Sequence, residues 1–130
     1  MAFQPGDLVG ELRIEREIGR GAWGIVYLAE DTLLARKVAL KVLPEGLAQA
    51  EPDIQQRVLA EARIVGALQS PHVITLYRLR EGPDGSWMQE MELAEGGSLE
   101  GRLEEGRPVA LDEALRIFRG VCEGLRAAHE

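Results

Sequence analysis

Three glycines fall within six residues, Gly19-x-Gly21-x-x-Gly24-x-Val26, between two runs that read as strands. Glycines this close lose backbone entropy on folding and weaken an ordinary strand pair. Their spacing therefore predicts a turn that uses what glycine offers, positive φ and close approach of backbone N–H groups. Amides turned inward from such a turn make a cradle for an anion, and the expected anion is phosphate.

Several phosphate-binding loops share this spacing, as do hairpins that hold no ligand, so the flanking residues decide. In a dinucleotide-binding fold the last glycine opens a helix. Here Gly24 leads into Ile25-Val26-Tyr27-Leu28, β-branched and aromatic residues without a cap, which favours strand, turn, strand. Glu45 stands about 20 residues downstream, as a ribose-binding acid would, but Pro44 has already ended the strand before it. On the loop alone, a ligand-free hairpin stays open.

A chain of 130 residues, 45% apolar, has room for one small domain and not for a second complete one. Its 22 acidic against 15 basic residues give a net charge of −7. That balance, with no basic stripe, argues against nucleic acid or an anionic membrane as a partner. Two lysines, Lys37 and Lys41, stand against 13 arginines, so a lysine is an uncommon choice here. The single cysteine, Cys122, excludes an internal disulfide; its apolar helical neighbours predict an inert core thiol in a reducing compartment. The first six residues lack a charged and then apolar leader pattern, and no apolar run approaches the roughly 18 residues of a membrane span. The expectation is a soluble, cytoplasmic chain.

Residues 1–11 read as a loose lead-in. Alternating Leu12 and Ile14 give a first strand up to Ile18, residues 25–30 a second and residues 37–43 a third, stopped by Pro44 and Gly46. Three such antiparallel strands form a meander. The pattern turns helical at Pro52 and runs to about Gln69-Ser70-Pro71, with Ile54, Val58, Val65 and Leu68 as its apolar stripe. Residues 73–77 read as a fourth strand, Pro83-Asp84-Gly85-Ser86 as a hairpin turn, and residues 87–93 as a fifth strand. Gly96-Gly97 breaks the pattern as a hinge. Ser98 then caps a short helix to Leu103, and a longer helix runs from about Asp112 to Glu130 with no closing cap. Its face of Ala114, Ile117, Phe118, Val121, Leu125 and Ala128 needs a partner.

Lys41 sits inside an otherwise apolar strand, on the face of Ala39 by period two, where a cation is costly unless paired. Glu61 is the natural partner. At 100° per residue it falls among Ile54, Val58, Val65 and Leu68, and an acid in that stripe demands a counter-charge. The plainer alternative has Glu61 reaching solvent and Lys41 snorkelling from a sheet edge. A lysine held by a carboxylate presents a point charge to phosphate oxygens, unlike the planar fork of arginine.

Five segments in order, Gly19-x-Gly21-x-x-Gly24-x-Val26, Val38-Ala39-Leu40-Lys41, Glu61, Ser70-Pro71-His72-Val73-Ile74 and Met91-Glu92-Leu93-x-Glu95-Gly96-Gly97-Ser98-Leu99, resemble a eukaryotic-type protein kinase, particularly the bacterial Ser/Thr kinases. The resemblance covers residues 12–130. It implies an α+β fold: a kinase-like N-lobe of residues 12–93 with a five-stranded antiparallel sheet and one αC-type helix, a hinge at 94–97, and the beginning of a C-lobe at 98–130. It further implies that Gly19, Gly21 and Gly24 cover the ATP phosphates, while Lys41 holds the α/β-phosphates and pairs with Glu61. Ile18, Val26 and Ala39 would wall the adenine, Met91 would be the gatekeeper, and Glu92 and Ala94 would offer backbone groups to the adenine edge. Val65 and Leu76 match positions that stack behind the Lys–Glu pair in the active form. Trp23 replaces the usual smaller aromatic at the loop tip and would still shield the phosphates. Gln89 departs from an apolar position behind the cleft, and its amide needs hydrogen-bond partners. His72 and His129 match structural positions.

The H-R-D and D-F-G segments of the family are not among these residues. The resemblance therefore implies that the catalytic base, the Mg²⁺ ligands and most of the substrate lobe lie outside them, and that the 130 residues alone are inactive. Expected partners are a protein substrate and the remainder of the C-lobe. A pseudokinase or nucleotide-binding scaffold, and an interaction unit docking through its last helix, remain as alternatives.

Overall fold

The computed structural model describes residues 2–44, 52–82 and 85–130. They divide into two compact units, one of residues 1–67 and 75–93, the other of residues 68–74 and 94–130.

The first unit is a six-stranded antiparallel sheet with a helix, among the described residues. Its strands are β1 (Leu8–Val9), β2 (Leu12–Gly21), β3 (Gly24–Asp31), β4 (Arg36–Val42), β5 (Leu76–Glu81) and β6 (Trp87–Met91), in the order β1-β2-β3-β4-β6-β5. The meander of β2, β3 and β4 forms as the sequence predicts. The expectation of five strands falls one short: part of the supposed lead-in pairs with β2 through Leu8 opposite Arg13 and Val9 opposite Leu12. Two residues are too few to show alternation, which is why the sequence hides this strand. The fourth strand also begins later than expected. Residues 70–73 close a turn, with the Val73 N–H donating to the Ser70 carbonyl at 3.2 Å, and the ladder starts only at Leu76. Of the expected hairpin turn, Pro83 and Asp84 lie outside the described residues.

Period-two alternation splits this sheet into two faces. One buries Leu12, Ile14, Tyr27, Ala29, Val38, Leu40, Val42 and Met88 in a single core with Val9. Phe3 closes one side of it, edge-on to Tyr27 at 5.5 Å between ring centroids, and its N–H donates to the Tyr27 hydroxyl at 3.0 Å.

The same face carries a buried acid. Glu90, opposite Leu40 in the register, is 3% exposed. It accepts from Arg80 Nε at 2.8 Å and Arg78 Nε at 3.0 Å, both from β5. Those two arginines also bind Glu11, at the turn between β1 and β2: Arg78 Nη2 donates at 2.9 Å, and Arg80 makes a short bidentate pair. Glu11 and β5 belong to opposite edges of the strand order, so this four-residue network ties the two ends of the sheet together and fixes its curl. Two carboxylates and two guanidinium groups balance in charge, which is the condition for burying them.

The helix α1 (Pro52–Ala67) packs along β5, burying Ala62 beside Leu76 and Leu79. The expected stripe is rotated. Val58 and Val65 are half-buried, but Ile54 is 44% exposed and Leu68 lies beyond the helix end. The small Ala62 side chain allows the close approach that a larger stripe residue would hold off.

In the second unit, α2 (Leu99–Glu104) is capped as expected by Ser98, whose hydroxyl accepts from the Gly101 N–H at 3.0 Å. It is joined to α3 (Leu111–His129) by Arg102 Nη2 on Glu113 at 2.9 Å. This pairing holds the Glu113 carboxyl below its usual range, through the Arg102 hydrogen bond first. α3 crosses the 70–73 turn at Gly124, where an added Cβ would stand 2.8 Å from the His72 carbonyl oxygen. His72 is thus a packing residue, as its position in the sequence implied. Leu111, Leu115, Phe118, Val121 and Leu125 are exposed along α3. Cys122 is exposed as well, correcting the expected core thiol: it lies on the outward side of a helix whose one buried residue is Gly124. No described helix is long and apolar enough to cross a membrane.

Removing one member of the buried network leaves charge without its partner. Glu90→Gln is expected to destabilise the chain by about 3 kcal/mol in urea unfolding. Arg80, by its hydrogen bond, holds the Glu11 carboxyl at about 2, down from an ordinary 4.5. A carboxyl whose folded value is depressed contributes stability above its unfolded value and loses it as pH falls toward the folded one. The urea midpoint is therefore expected to fall between pH 4.5 and about 2, and Glu11→Gln to flatten that fall.

Candidate functional site

The glycine turn joins β2 to β3, with Gly21 opposite Gly24 as the closing pair. Its three glycines are not alike. Gly24 has φ of +120°, and a Cβ there would lie 2.0 Å from the Val42 carbonyl oxygen, so the chain itself demands glycine. Gly21 would meet nothing within 4 Å and Gly19 only the Val26 Cβ at 3.8 Å, neither with φ in the left-handed region. The expectation that all three serve positive φ or close internal approach is corrected to Gly24 alone. Nothing inside the protein explains Gly19 and Gly21, and both stand where a ligand backing onto the turn would meet them. Trp23, at the tip, is 77% exposed.

Strand register sets what lies beside this turn. Val26 is opposite Lys41, Lys41 opposite Gln89, and Ala39 opposite both Leu28 and Met91. Val26, Ala39, Lys41 and Met91 therefore share the sheet face turned away from the core. Ala39 is buried, while Val26, Lys41 and Met91 are half-buried. Ile18 falls in a register shift of β2 and is 39% exposed. Glu92 is exposed; its N–H donates to the Thr75 carbonyl at 2.8 Å, and its carboxylate accepts from the Thr75 N–H at 3.1 Å. Ala94 is exposed and belongs to the second unit.

Lys41, Glu61, Trp23 and Gln89 line one cavity of about 470 Å³, a size in the range of small-molecule sites. Lys41 and Glu61 are brought to the same space without being joined: among the described residues no ion pair within 4.0 Å links them. The expected demand for a counter-charge on Glu61 is relaxed because the rotated helix leaves it exposed, and water solvates a carboxylate there at little cost. Sequence reasoning missed a second cation of the cavity, Arg57. The signal was present, since Arg57 is one helical turn before Glu61 and shares its side of α1. Two cations against one carboxylate, beside a turn with glycines that internal packing does not require, suit a polyanion such as a nucleotide's phosphates.

Residues 12–130 match the protein kinase domain family. The chain belongs to that family. It is 40% identical over 124 residues to the serine/threonine-protein kinase PknE of Mycobacterium tuberculosis, covering 95% of this chain and 22% of the relative. It is 38% identical over 128 residues to the serine/threonine-protein kinase pkn2 of Myxococcus xanthus, covering 97% of this chain and 15% of that protein. The fold superposes on the crystal structure of the Mycobacterium tuberculosis PknI kinase domain with a TM-score of 0.83 at 27% identity, over 99% of this chain and 52% of the other. The chain thus spans about half of a solved kinase domain and about a fifth of the length of PknE. Its α+β architecture is that of the kinase fold, a curled antiparallel sheet with helices.

The two classes of glycine separate in experiment. Gly24→Ala is expected to destabilise by about 3 kcal/mol, from backbone strain and overpacking, whereas Gly21→Ala should stay within about 0.5 kcal/mol, as at open surface positions. Urea unfolding of both variants checks this.

Proposed function

We propose that this chain is the ATP-binding part of a Ser/Thr protein kinase whose complete domain transfers the γ-phosphoryl of ATP to protein Ser or Thr hydroxyls. The observation that carries this reading is the placement of Lys41 on the outward sheet face beside Gly19 and Gly21, in a chain that matches the kinase family over residues 12–130. ATP supplies the phosphoryl group, with Mg²⁺ held by residues of the complete domain.

In this reading the backbone amides of Gly19, Gly21 and Gly24 lie over the phosphates, with Trp23 excluding water at the tip. Lys41 places a point charge on the α/β-phosphates, and Glu61 holds the lysine when α1 brings the two together. Ile18, Val26 and Ala39 wall the adenine, and Met91 stands as gatekeeper at its back. Glu92 and Ala94 offer main-chain groups to its edge, with residues 94–97 serving as the hinge. The chain works in the cytoplasm on protein substrates. Phosphoryl transfer needs a base and metal ligands that the H-R-D and D-F-G segments supply, so the 130 residues alone do not catalyse it. A second reading, a nucleotide-binding or interaction scaffold, is favoured by one observation, the exposed apolar row of Leu111, Leu115, Phe118, Val121 and Leu125 on α3.

In a complete kinase domain containing these residues, Lys41→Met is expected to lower phosphoryl transfer by about 10²-fold or more, as when an oriented transition-state charge is removed. The unfolding midpoint should not move. Near-normal activity of that variant, or ATP-dependent phosphorylation by the purified 130-residue chain, would contradict the proposal.

A further inference from the structure

One polar group of the cavity has no part in the roles above. Gln89 stands directly opposite Lys41 in the β4–β6 register and opposite Leu79 on β5. Its neighbours two residues away on the same face are Trp87 and Met91. Set among Leu79, Trp87 and Met91, the amide has one polar residue across its ladder, and that residue is Lys41. Opposed side chains in an antiparallel pair have Cβ atoms about 4.5–5.5 Å apart, well within the combined reach of glutamine and lysine. Both are half-buried, and both line the cavity that Glu61 lines from α1.

The chemistry of the amide matches this position. Ammonium only donates hydrogen bonds and carboxylate only accepts them, whereas an amide does both. Oε1 of Gln89 suits the Lys41 ammonium, and Nε2 suits the Glu61 carboxylate. Arg57 is a rival cation for Glu61 on its own helix face, so the helix does not guarantee Lys41 a partner. A partner on β6 does, because β4 and β6 are hydrogen-bonded neighbours. An apolar side chain at residue 89 would provide neither the acceptor nor the donor.

We propose that Gln89 is a positioning residue that bridges Lys41 and Glu61, accepting from the ammonium and donating to the carboxylate. It thereby holds the lysine toward the nucleotide when the direct ion pair is open. The proposal rests on reading Lys41 as the phosphate-binding residue, and its test does not involve nucleotide.

Lys37 and Lys41 are the only lysines of the chain, so the full chain labelled with ¹⁵Nζ-lysine gives two ammonium signals. Lys37, paired with Glu15 at 3.2 Å, is the internal control. In Gln89→Met, exchange of the Lys41 ammonium protons with water should quicken about fivefold, the effect of one net hydrogen bond lost, with Lys37 unchanged. In Gln89→Glu, which keeps an acceptor and adds charge, the Lys41 exchange should slow. Lys41 exchange unchanged in Gln89→Met with the Lys37 signal in place overturns the proposal. If Gln89→Met unfolds, shown by collapse of the Lys37 signal, Gln89→Glu decides, and unchanged Lys41 exchange there overturns it. An active Lys41→Met kinase domain would instead remove the kinase reading and leave the bridge standing, so the two failures are distinguishable.

Discussion

Strand β4 cannot present both of its faces to the core. Val38, Leu40 and Val42 are buried on one side, and Lys41 lies on the other with Ala39. A slip of one residue in register would turn Lys41 into the core and the three apolar side chains out of it. The cost of an unpaired buried cation, together with three lost apolar residues, therefore fixes the pairing of β4 with β3 and β6. Once that register is set, Val26, Ala39, Lys41 and Met91 fall on one surface without further instruction.

The core face is held in shape by charge as well as by apolar contact. Glu11, Arg78, Arg80 and Glu90 join strands at opposite ends of the sheet order, so the curl is a consequence of four polar side chains far apart in the chain. Gly24 lets the end of β3 pass against the Val42 carbonyl. The glycine turn is thus anchored by its last residue while Gly19 and Gly21 stay free of internal demands. A firmly seated base with an unencumbered lid is what a site for a bulky anion requires.

Local pattern made much of this legible. The glycine spacing with its β-branched sequel, the alternation in β4, the Ser98 cap and the amphipathic last helix each act within a few residues, and each reads correctly from the chain. The failures have a common origin in long-range packing. Glu11 is 67 residues from Arg78 and 69 from Arg80, so no window contains their network, although an acid at 90 between core-facing positions was a visible anomaly. The rotation of α1 follows from the small Ala62 side chain against β5, which periodicity alone does not reveal. That rotation is also why Glu61 meets solvent and stands apart from Lys41. Cys122 was misplaced for the same reason, because an apolar neighbourhood in sequence need not be a buried one in space.

The central claim is that this outward sheet face receives the phosphates of a nucleotide through Lys41. The most direct measurement is an ATP titration of a complete kinase domain containing these residues, followed by the ¹³Cε signals of its labelled lysines, with Lys41 and Lys37 assigned by substitution. The account predicts that ATP shifts the Lys41 signal saturably and leaves Lys37 in place. A Lys41 signal unmoved at saturating ATP would contradict it.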